Sequence, residues 1–138
     1  MNECKLKHLE FIQNIITRMN HNSFLLKGWA VILVSALFAL AAKDADVKYV
    51  LVSYIAVPVF WILDGFFIAT ERKYRDLYSK VAKKNESEID FSMDTTSYAV
   101  GNRTWPRGIF SKTLLPFYGV LIVVTLTVMF VITGVNDG

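Results

Sequence analysis

The sequence has few of the residues on which most protein chemistry depends. It contains one cysteine, Cys4, and two histidines, His8 and His21, in 138 residues. A single cysteine excludes an internal disulfide, and no spacing among these three residues resembles a zinc site. The sequence also lacks a Gly-rich phosphate loop and the HExxH and GxSxG motifs. These absences predict a protein that is not an enzyme and that carries neither a metal nor a cofactor.

Apolar residues are abundant and are gathered into blocks. They make up 54% of the chain, and the mean hydropathy is +0.38, which is more than a soluble domain of this size can bury. Three blocks, 24–42, 49–70 and 113–133, have the length that a helix needs to cross the hydrocarbon core. The sequence therefore predicts a single all-α membrane domain with three transmembrane helices, which assembles into a homo-oligomer.

The segments outside the three blocks are amphipathic or polar. Residues 4–22 predict an amphipathic helix that lies on the membrane or packs on a neighbour, because apolar side chains recur at helical spacing. The region 71–112 is predicted to continue the second helix to residue 84. Its later part, FSMDTTSYAVGNRTW, favours a short strand or hairpin with a turn near Gly101 and Asn102.

The distribution of basic residues predicts the orientation. Thirteen of the 15 Lys and Arg residues lie before the first span, just inside its start, or in the 71–112 region, and only Lys43 and Lys48 lie on the other side. Because basic residues are enriched on the cytoplasmic side of spans, the N-terminus and the 71–112 region are predicted in the cytoplasm. The C-terminus is then predicted to lie outside.

Asp64 is the only acidic residue within a predicted span. A carboxylate there is costly unless it is paired or hydrated. Lys27 has a similar depth in the first span, so we expect the two to form a pair that fixes two helices; alternatively, Asp64 lines a pore or gate. Glu71 and Arg75 have i,i+4 spacing, which predicts a second ion pair that supports the helix or sets subunit register.

The cytoplasmic basic residues are the candidate ligand-binding groups. Arginine suits phosphate, and aromatic rings can stack on bases. The alternative is that these residues only follow the topology and attract anionic lipid. We call the candidate set the basic collar: Arg72, Arg75, Lys83, Lys84, Arg103, Trp105, Arg107 and Lys112.

Four segments covering about half the chain resemble a family of small bacterial membrane effectors encoded in antiphage cassettes, similar to the Hailong channel effectors. The segments are HLEFIQNIITRMNHNSFLLKGWAVILVSALFALAA (8–42), FWILDGFFIATERKYRDLYSKV (60–81), DFSMD (90–94) and SKTLLPFYG (111–119). The resemblance implies a homotetrameric ion channel in the bacterial inner membrane, with a nucleotidyltransferase-like partner enzyme. It also implies that a short oligodeoxyadenylate made by that enzyme holds the channel closed and that its loss depolarises the cell.

Three functional hypotheses follow. The first is a ligand-gated channel that arrests growth. The second is a non-conducting adaptor that anchors a cytoplasmic partner through residues 85–112. The third is an unregulated, holin-like lesion, which would be toxic on expression without a partner gene.

Overall fold

The described part of the chain folds into four α-helices, with a long irregular segment that contains short 3-10 turns between the second and the third. The computed structural model describes residues 3–44 and 46–137. The helices are α1 (Glu3–Asp44), α2 (Val47–Lys83), α3 (Trp105–Ile109) and α4 (Leu114–Asp137). Three 3-10 turns lie between α2 and α3, namely Glu86–Glu88, Thr96–Tyr98 and Gly101–Arg103. Because α1, α2 and α4 are long and apolar enough to cross a membrane, the predicted all-α class with three candidate spans is confirmed.

Helices α1 and α2 form an antiparallel hairpin that is longer than a bilayer is thick. At 1.5 Å per residue α1 is about 63 Å long and α2 about 55 Å long, against about 30 Å of hydrocarbon. The tight connection depends on Asp46, whose side chain accepts a hydrogen bond from Lys48 N at 2.9 Å and caps α2. The two helices therefore continue together beyond the apolar layer as a paired stalk, residues 3–22 with 71–83.

The segments predicted as an amphipathic helix at 4–22 and a span at 24–42 form one continuous helix, α1. No Gly or Pro interrupts residues 20–24, so nothing there stops a helix. Ser23 is a residue type that often caps a new helix, but its hydroxyl donates to Asp64 instead. Of the apolar residues in 4–22, Leu9, Ile12 and Ile16 are buried in the stalk, whereas Leu6 and Phe11 are exposed.

Three apolar clusters hold the helices together. In the stalk, the buried residues are Leu9, Ile12, Ile16, Leu77 and Val81. At the middle of the hairpin, where α4 joins, they are Ala30, Val34, Val57, Leu114 and Tyr118. Near the α1–α2 connection they are Ala41, Val50 and Ile132. Helix α4 packs mainly on α2 and touches α1 only slightly, so much of its surface is left for lipid or another subunit.

The strand or hairpin predicted within 91–105 is also wrong, because the described residues contain no strand there. Three successive side chains bond to the backbone two residues ahead: Asp90 accepts from Ser92 N, Ser92 from Asp94 N, and Asp94 from Thr96 N. These local bonds use the N–H groups that a ladder would require. The turn predicted at Gly101 is present, and Gly101 has a positive φ of 61°.

His8 joins this irregular segment to the stalk. Its ring is fully buried, and its Nε2 lies 2.9 Å from the Ser92 carbonyl oxygen, which requires Nε2 to be the donor. The ring of Phe91, whose centroid is 5.5 Å from that of His8, belongs to a residue held at a φ of 55°. Because such a backbone conformation is unfavourable for phenylalanine, the contacts with α1 must hold it in place.

We expect His8→Ala to loosen this segment. Loss of one buried hydrogen bond, worth about 1 kcal/mol, should speed amide exchange across 89–98 about fivefold. Hydrogen–deuterium exchange checks this, with Lys7→Ala as the control because Lys7 is exposed. Equal exchange in His8→Ala and the wild type would show that the histidine does not hold the segment.

Candidate functional site

A buried polar cluster joins three helices within the membrane-spanning region. Asp64 of α2 is fully buried, and its Oδ2 accepts from Lys27 Nζ of α1 at 2.6 Å and from Tyr118 OH of α4 at 2.9 Å. Its Oδ1 accepts from Ser23, which in turn accepts from Lys27 Nζ at 2.7 Å. The predicted Lys27–Asp64 pair is thus confirmed. We call Ser23, Lys27, Asp64 and Tyr118 the buried cluster.

The buried cluster satisfies a charge that the membrane would otherwise exclude. A buried ion pair stabilises a protein only when further hydrogen bonds saturate the carboxylate, and here both oxygens have partners. Sequence reasoning missed Ser23 and Tyr118. Their positions along the predicted spans could have revealed them, because Ser23 lies one turn before Lys27 and Tyr118 lies one turn into the third span.

A short helix is packed against the buried cluster. The ring of Trp61 stacks on that of Tyr118, with centroids 5.8 Å apart and planes 9° from parallel. Trp61 Nε1 donates to the carbonyl oxygen of Ile109, the last residue of α3, at 2.7 Å. Tyr118 thus contacts Asp64 through its hydroxyl and Trp61 through its ring, which connects α3 with the buried ion pair.

Two glycines allow α3 to approach α2 at backbone distance. A Cβ added at Gly65 would lie 2.5 Å from Ile109 Cγ1 and 2.9 Å from Ile109 Cα. A Cβ added at Gly108 would lie 2.4 Å from the carbonyl oxygen of Gly65. Any larger residue would therefore push the two helices apart, so α3 depends on both glycines for its position.

Arg72 is the junction between the second span and the segment before α3. Its Nη1 donates to Asn102 O at 2.6 Å and lies 3.5 Å from Arg107 O. One residue earlier, Glu71 is buried and pairs with Arg75, which confirms that predicted ion pair. Among the hydrogen bonds and ion pairs found for residues 3–44 and 46–137, Arg72 bonds only to carbonyl oxygens. No carboxylate therefore pairs with its charge there.

An open cleft of about 520 Å³ leads from the stalk to Lys27. We call it the Lys27 cleft. Its polar lining comes from all three long segments of the membrane domain: Asn20, Ser23, Lys27, Glu71, Arg72, Arg75 and Thr113. Lys27 is 17% exposed while Asp64 is not exposed, so the lysine is the member of the pair that solvent or a ligand can reach.

The remaining collar divides into two cavities that share Arg72 and Asn102. The Arg103 cavity, about 220 Å³, is lined by Arg72, Arg75, Asp76, Asn102 and Arg103. Arg103 is fixed there, because its Nε lies 2.9 Å from Asp76 Oδ2 and 2.8 Å from Tyr98 O. The Lys112 cavity, about 420 Å³, is lined by Arg72, Asn102, Arg107, Phe110, Ser111, Lys112 and Thr113.

Three collar residues lie outside these cavities. Lys83 is exposed on the stalk, and Lys84 lies 3.5 Å from Asp90, its partner in an ion pair. The pKa of Asp90 is lowered, first by the hydrogen bond from Ser92 N and also by the charge of Lys84. Trp105 packs edge-on against Phe66, and its Nε1 donates to Ile62 O at 2.8 Å. The structure therefore does not bring Trp105 to the arginines with which its sequence spacing grouped it.

Within residues 3–44 and 46–137, no group of three His, Cys, Asp or Glu side chains is placed to hold a metal ion. Comparison with protein-family models, with curated proteins and with solved structures finds no match to this chain.

Proposed function

We propose that the protein is an oligomeric ion channel, an effector of bacterial antiphage defence that is gated by a nucleotide or a short oligodeoxyadenylate. The ligand binds the basic collar on the cytoplasmic face, and opening depolarises the inner membrane and arrests growth. A nucleotidyltransferase-like partner enzyme supplies the ligand. A homotetramer is the favoured assembly, with the N-terminus in the cytoplasm and the C-terminus outside.

The observation that carries this proposal is the chain of contacts from Arg72 to Asp64. Arg72 holds the backbone at Asn102 and Arg107, next to α3. The end of α3 bonds to Trp61, and Trp61 stacks on Tyr118, which donates to Asp64. A ligand that engages Arg72 differently in two conformations would shift the position of α3 and, through it, the buried cluster. Only such differential affinity can gate a channel.

Oligomerisation is part of the proposal because three spans enclose no conduit by themselves. Helix α1 leaves Ser35, Ala36, Ala39 and Ala42 exposed. Small side chains let helices approach closely in a membrane, so this face suits contact with another copy. The Lys27 cleft then lies near the cytoplasmic mouth, and Lys27 in its lining connects it with Asp64.

The adaptor is the second candidate, and the exposed apolar side chains of the cytoplasmic segment favour it. Phe91 and Val100 are both largely exposed. A partner protein could cover them without any ion flux. The adaptor hypothesis predicts that vesicles containing the oligomer hold a potassium gradient under all conditions, whereas the channel hypothesis predicts dye-reported depolarisation that oligodeoxyadenylate changes.

We expect Arg103→Ala to weaken binding of oligodeoxyadenylate about tenfold and to lower the slope of log affinity against log salt by about 0.7, which is the loss of one phosphate contact. Asp76→Asn should have the opposite effect, because it removes the carboxylate that pairs with Arg103. Fluorescence anisotropy over a salt series measures both quantities.

Lys73→Ala is the matched control, because Lys73 is a cytoplasmic cation that lines neither the Arg103 cavity nor the Lys112 cavity. Opposite shifts for Arg103→Ala and Asp76→Asn exclude a general folding defect. Binding that falls equally in Lys73→Ala and Arg103→Ala would remove the Arg103 cavity from the ligand site.

A further inference from the structure

The Lys112 cavity lies closer to the predicted membrane-spanning helices than the Arg103 cavity does. Helix α3 contributes Arg107 to its lining. This helix packs alongside the second span, because Trp105 Nε1 donates to Ile62 O and a Cβ added at Gly108 would meet the carbonyl oxygen of Gly65. Ile62 precedes the predicted end of that span, at residue 70, by about 12 Å of helix. Trp105 therefore lies within the acyl-chain layer, whereas the Lys112 cavity, which is lined by Arg72 just after the second span and by Thr113 at the start of the predicted third, lies at the boundary between headgroups and acyl chains.

The exposed side chains of this region suit that depth. Trp105 is 47% exposed and Phe110 64% exposed, and Phe110 lines the cavity. Aromatic side chains are enriched at the membrane interface, where their rings contact acyl chains. The opening of the cavity is thus bordered by the exposed ring of Phe110, while Trp105 lies outside the cavity lining.

The lining of the Lys112 cavity is cationic and has no acidic side chain to balance its charge. Arg72, Arg107 and Lys112 contribute three positive charges, and none of the residues that line the cavity is acidic. Ser111 accepts a hydrogen bond from Leu114 N, which leaves its own hydroxyl hydrogen available, and Thr113 adds a second hydroxyl. The lining therefore provides three cations and two hydroxyl donors, which are the groups that recognise a phosphate ester.

We propose that the Lys112 cavity binds the phosphate of an anionic phospholipid headgroup, with one acyl chain running past Phe110. The Arg103 cavity contains Asp76 and lies on the stalk side of Arg72, so it does not share this preference. The site does not depend on the proposed channel function, since a non-conducting protein with this fold would bind the same lipid. Arg72 borders both cavities, so a bound lipid contacts the residue from which the path to the buried cluster begins.

The test is native mass spectrometry of the full chain in detergent, titrated with phosphatidylglycerol or with phosphatidylcholine of equal chain length. The wild type is expected to hold one phosphatidylglycerol per chain at least tenfold more tightly than phosphatidylcholine. Arg107→Ala/Lys112→Ala should lower the phosphatidylglycerol affinity about 25-fold, since each cation near a lipid surface contributes about fivefold. Lys112→Glu, at an exposed position, should abolish the preference by charge reversal.

Lys7→Ala/Lys73→Ala is the matched control, because it removes two cations outside the cavity. An equal loss in this control would overturn the site in favour of general surface charge, as would equal affinity for the two lipids. A third arm adds inorganic phosphate at millimolar concentration to the lipid-bound protein. Retention of the lipid supports a headgroup site, and displacement would assign the cavity to a soluble phosphate ligand instead.

Discussion

Asp64→Leu is expected to lower the free energy of unfolding by about 3–5 kcal/mol, because it leaves the Lys27 ammonium group without its buried partner. The hydroxyls of Ser23 and Tyr118 lose their acceptor in the same change. Unfolding by SDS in mixed micelles, followed by circular dichroism, measures the loss. Asp64→Asn should cost less, because the amide oxygen still accepts a hydrogen bond.

The double variant Lys27→Met/Asp64→Leu separates the charge from the packing. Replacing both members of a buried pair by apolar residues removes the unpaired charge, so we expect it to recover about half of the loss. Recovery is partial because Tyr118 still lacks an acceptor for its hydroxyl. If Asp64→Leu unfolded within 1 kcal/mol of the wild type, the buried cluster would not hold the helices together.

Gly65→Ala is expected to displace α3, although alanine is a better helix former than glycine. The new methyl group would lie 2.9 Å from backbone atoms of Ile109, which cannot rotate away. Overpacking of this kind costs about 1–3 kcal/mol, which outweighs a gain of about 1 kcal/mol in helix propensity. Trypsin cleavage after Arg107 should accelerate about tenfold in detergent, because α3 leaves its place on α2.

Gly119→Ala is the control for this change. Gly119 is also helical, but a Cβ there meets nothing within 4 Å. We therefore expect it to raise the free energy of unfolding by about 0.5–1 kcal/mol and to leave cleavage after Arg107 unchanged. Stability changes of the same sign in both variants would show that the close approach of α2 and α3 is not required.

The three apolar helices and the two ion pairs could be predicted from the sequence for simple reasons. Long apolar runs have few alternatives to a membrane-spanning helix, and a lone carboxylate at the depth of a lone lysine strongly favours their pairing. Lys27 and Asp64 met that condition. Glu71 and Arg75 needed only the geometry of one helix, which spacing alone determines.

The errors and omissions occurred where spacing along the chain carries no information. Tyr118 reaches Asp64 across 54 residues of sequence, and only the packing of α4 on α2 makes that contact visible. Trp105 follows Arg103 closely in sequence, yet α3 turns it toward Ile62. The expected strand failed because local bonds at Asp90 and Asp94 competed for the backbone, a choice that alternation of residue types does not reveal.

The division of the basic collar also required three-dimensional contacts. In sequence it is one cationic region, but the structure separates it at Arg72 into a cavity that contains an acidic residue and one that does not. The two cavities also differ in their neighbours, because α3, which carries Arg107, packs beside the predicted second span. A soluble ligand at the Arg103 cavity and a lipid at the Lys112 cavity would both act on Arg72.

Single-channel recording of the purified oligomer in a planar bilayer is the most direct test of whether the protein is a ligand-gated channel. Oligodeoxyadenylate is added first to the side that carries the basic collar and then, in a separate bilayer, to the opposite side. We expect discrete currents, and we expect the oligonucleotide to change their open probability only when it is added to the collar side. A silent bilayer with the oligomer confirmed in the same preparation, or currents indifferent to the oligonucleotide, would contradict a ligand-gated channel.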